Sequence, residues 1–252
     1  MNIAVCVKQI PDPATQYELD GENHWVIRPN DQVLDDTDRI GVEVGLQLAE
    51  ATEGTVTLFS MSPSGSLQGI RQALAMGADK AVLIDDETLK GSDALTTARV
   101  LSAAIGRESF DVVVAGTEST DGYTGVVPQM MSEFLDLPCL SFARSVTVAD
   151  NAVTIERQTA TGYETVSAPL PAVLAVTAGA EEPRYPTFKG IMAAKSKPID
   201  TTTASELGVE PQAGQTIDSV EPVAARQAGE IVDDDGEGHL KIIEMLEQVK
   251  VI

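Results

Sequence analysis

A chain of 252 residues with 39 acidic side chains against 17 basic ones carries a formal net charge of -22, so no surplus of Lys and Arg is on hand to neutralise a phosphate backbone, which argues against a nucleic-acid-binding role. The length suffices for one sizeable core, or one α/β domain with an appendage. Two cysteines, Cys6 and Cys139, with no C-x-x-C or Cys/His ligand spacing, argue against a disulfide framework and a structural zinc site, and no apolar run approaches the roughly 20 residues that span a bilayer.

Residues Asn2 to Val7 read as a first core strand, closed by Lys8 and the turn-forming Gln-Ile-Pro-Asp-Pro. The amino terminus passes straight into that strand without the features of a secretory leader, so a cytoplasmic location without membrane insertion is expected. Lys8, leaving the carboxyl end of the strand, is placed to meet a ligand over the sheet edge; an ordinary solvent-facing lysine is the alternative. Residues 14 to 31 are polar, contain the single Trp25, and read as a hairpin or excursion.

A helix is predicted from about Asp36, with Asp35, Asp36 and Thr37 as capping candidates and Ile40, Val44, Leu46 and Leu48 among its apolar positions. Thr55 to Ser60 form the next strand. The small-residue loop Met61-Ser62-Pro63-Ser64-Gly65-Ser66 then leads into a helix with Leu67, Ile70, Leu74 and Met76, closed by Gly77. Ala81 to Ile84 supply a strand, and Ser92-Asp93 cap a helix through Ala98, Leu101 and Ile105.

The stretch from Asp111 to Pro138 organises the chain. Val112 to Gly116 are apolar or small, as in a strand buried on both faces of a parallel sheet. Thr117 to Gly122 form a hydroxyl-rich loop, and from about Thr124 the apolar positions Val127, Met130, Met131, Phe134 and Leu135 recur at helical spacing. A helix start carries backbone N–H groups without intrahelical partners and a partial positive charge, so strand, polar loop and helix make a phosphate-binding unit. Gly122 and Gly125 admit close approach, Ser119, Thr120 and Thr124 are capping or phosphate-donor candidates, and Pro128 fits near the helix start. The loop matches neither a P-loop nor a G-x-G-x-x-G fingerprint. An ordinary capped helix after a sheet strand is the competing interpretation.

Beyond Pro138 the texture is β: a strand from Leu140 to Val148, a hairpin from Asn151 to Pro169 turning at Thr161-Gly162, and a strand from Ala172. Residues 180 to 200 are loop-like with a short helical turn at Ile191 to Ala194 and exposed-looking Tyr185 and Phe188. Residues 201 to 236 are polar and acidic, including Asp233, Asp234 and Asp235, and read as an arm; a final amphipathic helix, His239 to Lys250, shows Leu240, Ile243, Leu246 and Val249 on one face and needs a surface to pack on. The β-then-α alternation predicts an α/β fold: a doubly wound, mostly parallel, Rossmann-like sheet with a β-rich second half and an extended C-terminal arm. The expected division is a nucleotide-binding domain over residues 1–200 and the arm over 201–252. In such a sheet Cys6 to Lys8, Ser60 to Ser66 and Gly116 to Gly125 reach one edge. Asp121 reads as a loop-shaping or ribose-contacting carboxylate, and no nucleophile and base pair, metal cluster or paired-carboxylate site stands out.

Four segments together resemble the beta subunit of electron transfer flavoprotein: VCVKQIPDP from Val5, QALAMGADKAVLI from Gln72, GTESTDGYTGVVPQMMSEFLDLP from Gly116, and LPAVLAVTAGAEEPRYPTFKGIMAAKSKPI from Leu170, which holds the specific E-P-R-Y-x-T-x-x-x-I-M-x-A-K pattern, Glu182 to Lys195. The resemblance implies an obligate heterodimer with an alpha subunit, FAD bound mainly in that subunit, and a structural AMP in this one. It also implies that electrons pass from acyl-CoA dehydrogenases or related flavin dehydrogenases to an electron-transfer-flavoprotein quinone oxidoreductase, with this chain a carrier and not an enzyme. Some relatives bind a second FAD in place of AMP and bifurcate electrons from NADH, which is the alternative; a free-standing nucleotide-binding module is a third.

The family's nucleotide contacts correspond to Cys6, Asp35, Asp36, Thr37, Asp38, Met61, and the run Gly116, Thr117, Glu118, Ser119, Thr120, Asp121, Gly122, Tyr123, Thr124, Gly125, Val126 and Val127, with Lys8 added on the physical grounds above. Its partner-recognition loop corresponds to residues 182–195, with Arg184, Tyr185, Phe188, Ile191 and Met192 as contacts and Phe188 in the place of an anchoring leucine. The terminal helix is expected to pack on the alpha subunit. The chain departs from the family pattern at Asp35 to Arg39, where relatives have N-P-[FY]-[CD]-E, at Ser119 to Tyr123, at Pro13, where animal relatives place a tyrosine near the flavin, and in keeping only Lys195 and Lys197 of a lysine run.

Overall fold

The computed structural model describes residues 1–63, 65, 67–212, 214–221, 223–224, 229, 231–232 and 236–252. Ser64 and Ser66 of the second small-residue loop, and Asp233 to Asp235 of the acidic run, lie outside the described residues. In chain order the elements are β1 (Asn2–Cys6), β2 (Gln9–Ile10), β3 (Val33–Leu34), α1 (Asp36–Ala51), β4 (Thr55–Met61), α2 (Gln68–Met76) and β5 (Lys80–Ile84). After a 3-10 turn come α3 (Ala94–Ile105), β6 (Val112–Gly116), α4 (Val127–Leu135), β7 (Cys139–Ala149), β8 (Ala152–Thr159), β9 (Gly162–Pro169), β10 (Ala172–Val176), α5 (Phe188–Ala194), β11 (Ile199–Thr202) and α6 (Gly238–Gln248).

Among the described residues nine strands form one sheet in the order β11-β5-β4-β1-β6-β10-β7-β8-β9, parallel from β11 through β7 and closed by the antiparallel β8 and β9. From β1 the chain steps outward to β4 and β5, then returns to place β6 on the other flank of β1. That reversal opens a crevice at the carboxyl ends of β1 and β6. The doubly wound α/β architecture is the one the alternation predicts.

Burial on both faces explains the continuous apolar strands. Ile3, Val5, Val112 and Val114 belong to one core cluster with α1 and α2, while Ala4, Cys6, Val113 and Ala115 belong to a second with α3 and Met131 of α4. Each fully buried aliphatic side chain of this kind contributes about 1.5–3 kcal/mol. Helix α1 lies close over β1 because Gly45 carries no side chain: a Cβ there would come 2.7 Å from Val5 Cγ2. Helix α2 has no cap of its own, and Gln9 substitutes: its Oε1 accepts from Gly69 N at 2.8 Å and its Nε2 donates to Ser62 Oγ at 3.1 Å.

Several expectations need correction. Gln9 and Ile10, predicted within a turn, form β2 and pair with β3. Helix α4 begins at Val127, not near Thr124, and none of Ser119, Thr120 or Thr124 caps it, because its N-cap is Val126 without a side-chain bond. The short turn at Ile191 to Ala194 extends back to Phe188, capped by Thr187, whose side chain accepts from Gly190 N. The compact unit runs from Met1 to Ile217 and does not stop at residue 200: β11 adds to the β5 edge, and Ala204 and Val209 are buried where the arm was expected to start. The second unit, Asp218 to Ile252, contains the amphipathic α6, none of whose residues is buried.

Gly45→Leu is expected to lower the stability of the folded chain by about 1–3 kcal/mol through overpacking against Val5. Urea denaturation followed by circular dichroism checks this, and an unchanged midpoint would show that α1 has room to move away.

Candidate functional site

The crevice over β1 and β6 is built from the start of α1 and the loop that follows β6. Asp35 caps α1 and is fully buried; its Oδ1 accepts from Thr37 N at 3.0 Å, while Oδ2 accepts from Thr120 N at 2.7 Å and Thr120 Oγ1 at 3.0 Å. One carboxylate thus fastens the helix start to the hydroxyl-rich loop. Thr37 Oγ1 adds a second tie, 2.9 Å from Glu118 O. Thr120, expected to cap α4 or meet phosphate, is consumed in this clasp.

Asp38 lies one turn further along α1 and accepts from Lys8 N at 2.6 Å. Burial pushes its carboxyl well above the usual range, the neighbouring Asp35 adds to the rise, and the Lys8 and Gly116 N–H groups act against it. Cys6 ends β1 with its thiol buried, and burial first, then Asp38, raise it out of the reactive range. Asp36 points outward to pair with Arg39, and Met61 sits half-buried at the end of β4 beside β1.

Asp121 is the charged hub of the loop. Its side chain is 1 % exposed and bridges Lys8 Nζ at 2.6 Å and Arg28 Nη2 at 2.5 Å. Burial would raise its carboxyl, but the two cations outweigh it and hold it below the usual range. Lys8 also reaches Ser119 Oγ at 3.2 Å, and Arg28 donates to Gln9 O at 3.1 Å. Arg28 pins the polar excursion to the loop and was missed from the sequence, where only its rarity as a cation among acidic neighbours marks it.

Past this hub the loop opens. Tyr123, at a left-handed φ of 48°, is 67 % exposed, and Thr124 and Val126 are exposed beside it. Gly125 adopts φ 63°, and a Cβ there would meet Glu118 Oε2 at 3.3 Å. Helix α4, nine residues long, starts here without a side-chain cap. Among the described residues of the two strand, small-residue loop and helix units, this one leaves its helix start open, whereas Gln9 occupies the other. The groups at this helix start that could meet an anion such as a phosphate are therefore backbone N–H groups and hydroxyls. The flanking cleft over β10 and β7, about 560 Å³, is lined by Thr117, Glu118, Phe142, Gln158, Thr159 and Thr177. Phe142 holds φ 59° where the β7 register shifts, turning its ring outward; the sequence carries no mark of it.

The recognition-loop residues lie elsewhere. Tyr185 and Phe188 are 86 % and 80 % exposed, with Ile191 and Met192 about half-exposed on the same helix face. Arg184 turns back onto its own domain, pairing with Glu43 and Glu50. Lys197 is likewise engaged, donating to Leu74 O and Gly77 O at 3.0 Å at the end of α2. No group of three or more His, Cys, Asp or Glu among the described residues is arranged to hold a metal, and no described helix is long and apolar enough to cross a membrane.

A family model described as the electron transfer flavoprotein domain matches residues 24–207. The chain is 41 % identical over 264 aligned positions to a Mycobacterium tuberculosis (strain H37Rv) protein named electron transfer flavoprotein subunit beta, covering 100 % of this chain and 99 % of that one. It is 36 % identical to the protein of the same name from Megasphaera elsdenii, over 83 % of this chain and 81 % of the other. It is 31 % identical to the caffeyl-CoA reductase-Etf complex subunit CarD of Acetobacterium woodii, over 84 % and 82 %.

Asp121→Asn is expected to lower stability at pH 7 by about 1–3 kcal/mol, because Lys8 and Arg28 lose their shared counter-ion while keeping some solvent. A depressed folded-state carboxyl contributes stability above the unfolded value of about 3.9, lost as pH falls through the folded value. The gap between variant and parent should therefore begin to narrow below about pH 3.9; chemical denaturation at pH 7 and about pH 3 measures it, and a gap constant with pH would remove the ion pairs as its source.

Proposed function

The chain belongs to the electron transfer flavoprotein family, with full-length relatives that are beta subunits, and we propose that it is the nucleotide-holding beta subunit of a heterodimeric carrier that takes electrons from acyl-CoA dehydrogenases or related flavin dehydrogenases and passes them to a quinone oxidoreductase. Membership implies electron transfer and assembly with an alpha subunit. The single observation that carries the nucleotide reading is the open start of α4 over the switch point, bordered by exposed Tyr123 and Gly125. A structural AMP suits it: backbone N–H groups at the end of the 117–127 loop would receive the phosphate, and Asp35, Asp38 and Asp121 would shape the cradle from behind.

The residues at the crevice bind and orient. Each buried carboxylate at the crevice is already fastened to a backbone N–H, a hydroxyl or a cation, which supports the role of a carrier subunit and not of an enzyme in its own right; a cytoplasmic location is proposed with it. FAD, held mainly by the alpha subunit, would supply the redox chemistry. The exposed Tyr185, Phe188, Ile191 and Met192 offer a compact apolar surface to the dehydrogenase. The terminal helix α6, with no buried residue of its own, is proposed to pack on the alpha subunit.

A second reading is favoured by the likeness to a subunit named for a reductase complex: a second FAD in place of AMP, with NADH oxidised and its electrons bifurcated. Co-production with the alpha subunit, followed by acid release and quantitation of FAD and AMP, separates the two. An equimolar FAD and AMP content is expected; twice as much FAD and no AMP would replace the first reading by the second. Gly125→Val is expected to lose most of the nucleotide, since a β-branched residue disfavours φ 63° and crowds Glu118; full retention would move the nucleotide away from this loop. Phe188→Ala is expected to raise KM for the dehydrogenase by about tenfold or more without changing nucleotide content, and unchanged transfer kinetics would remove Phe188 as the anchor.

A further inference from the structure

The exposed apolar side chains of the 182–195 segment project from a backbone that is fastened at three points, at its entry and exit by charged side chains and in the middle by close packing. At the entry, Arg184 forks onto helix α1. Its Nε donates to Glu43 Oε2 at 2.7 Å, its Nη2 to Glu43 Oε1 at 2.9 Å and to Glu50 Oε2 at 3.1 Å, and its backbone N to Glu43 Oε2 at 3.1 Å. In the middle, α5 lies so close to α2 that a Cβ on Gly190 would come 2.4 Å from Ala75 O. At the exit, Arg71 donates to Lys197 O at 3.0 Å, while Lys197 Nζ caps the carboxyl end of α2.

Glu43 makes the entry clamp more than a surface ion pair. Its side chain is 5 % exposed, and although burial would raise its carboxyl, Arg184 holds it below the usual range. A planar guanidinium serves two carboxylates at once, through Nε, Nη1 and Nη2; a lysine ammonium has no such fork. Between the clamps, Phe188, Ile191 and Met192 fall at i, i+3 and i+4 on one face of α5 with Tyr185 at its head, and all four are exposed. Four large apolar side chains held on a rigid backbone lose less freedom on docking than the same residues on a mobile loop.

We propose that Arg184, acting through Glu43 and Glu50, is a positioning residue for dehydrogenase docking: it pre-organises the segment that carries Tyr185 and Phe188 and does not itself touch the partner. The inference rests on the proposed docking role of that segment. Charge contact and positioning differ in what they require of the acidic residues. Were Arg184 a direct contact for the partner, freeing it from Glu50 would leave docking unchanged or improved; a positioning residue needs Glu50.

The test uses the chain co-produced with its alpha subunit and a purified acyl-CoA dehydrogenase as electron donor. Arg184→Gln alone leaves the buried Glu43 unpaired, so the double variant Glu43→Gln/Arg184→Gln, which swaps an ion pair for two amides, is measured beside it and beside Glu50→Gln. KM for the dehydrogenase is expected to rise about tenfold in the double variant and less in Glu50→Gln, with kcat and nucleotide content near parental values. Hydrogen exchange of the 184–195 amides should quicken in the same order. An unchanged KM in a folded double variant, or a KM left unchanged or lowered by Glu50→Gln, would overturn the positioning role. Phe188→Ala serves as the reference: a raised KM there with none in the double variant defeats the clamp alone, whereas no change in either defeats the docking reading and the clamp with it.

Discussion

The reversal of strand order at β1 is the constraint from which the rest of the molecule follows. Because β4 and β6 flank the same strand, the helices after them must leave on opposite faces, and the loops above β1 and β6 diverge to form a crevice. Both faces of the sheet are then covered, which demands uninterrupted apolar strands and helices that come close. Ile3, Val5, Val112 and Val114 meet the first demand, and Gly45 over Val5 meets the second. Cys6, Lys8, Asp35, Asp38 and the 117–127 loop follow the ends of β1 and β6 or open the next helix, while Arg28 reaches in from the polar excursion.

At the crevice itself, an acidic chain shapes an anion-compatible site by spending its carboxylates internally. Asp35 receives N–H and hydroxyl donors from both α1 and the loop, Asp38 receives the Lys8 N–H, and Asp121 is matched by two cations. Unpaired, three carboxylates so close would repel a phosphate; fastened, they hold the loop in the conformation that leaves the start of α4 open. The same economy appears at the 182–195 segment, where Glu43 and Glu50 hold Arg184 while Tyr185, Phe188, Ile191 and Met192 stay exposed. In both places buried charge defines the local geometry.

Division of labour along the chain follows from this. The Met1 to Ile217 unit contains the sheet, the crevice and the 182–195 segment, and β11 closes its edge by pairing with β5. A strand added at an edge satisfies a row of N–H and C=O groups that would otherwise face solvent. Helix α6 belongs to the Asp218 to Ile252 unit and has an apolar face and no buried residue.

Much of the fold was legible in the residues because parallel sheets and their covering helices impose local patterns. Val112 to Gly116 announces a doubly covered strand, Asp35 and Asp93 announce helix starts, and the alternation of the two implies the doubly wound order; the segment Glu182 to Lys195 marks the family. What the sequence alone could not decide are the pairings between residues far apart in the chain, which carry no local pattern. Arg28 meets Asp121 across 93 positions, Gln9 caps α2 from 60 positions away, and Arg184 reaches Glu43 over 141. The placement of β11 was hidden for a related reason, since a short polar edge strand such as Ile199–Thr202 reads as loop until a partner edge is supplied. Side-chain period and capping chemistry are fixed by neighbours in sequence, so they can be read from it; long-range ion pairs are fixed by where the folded backbone brings the charges, and only the tertiary structure decides them.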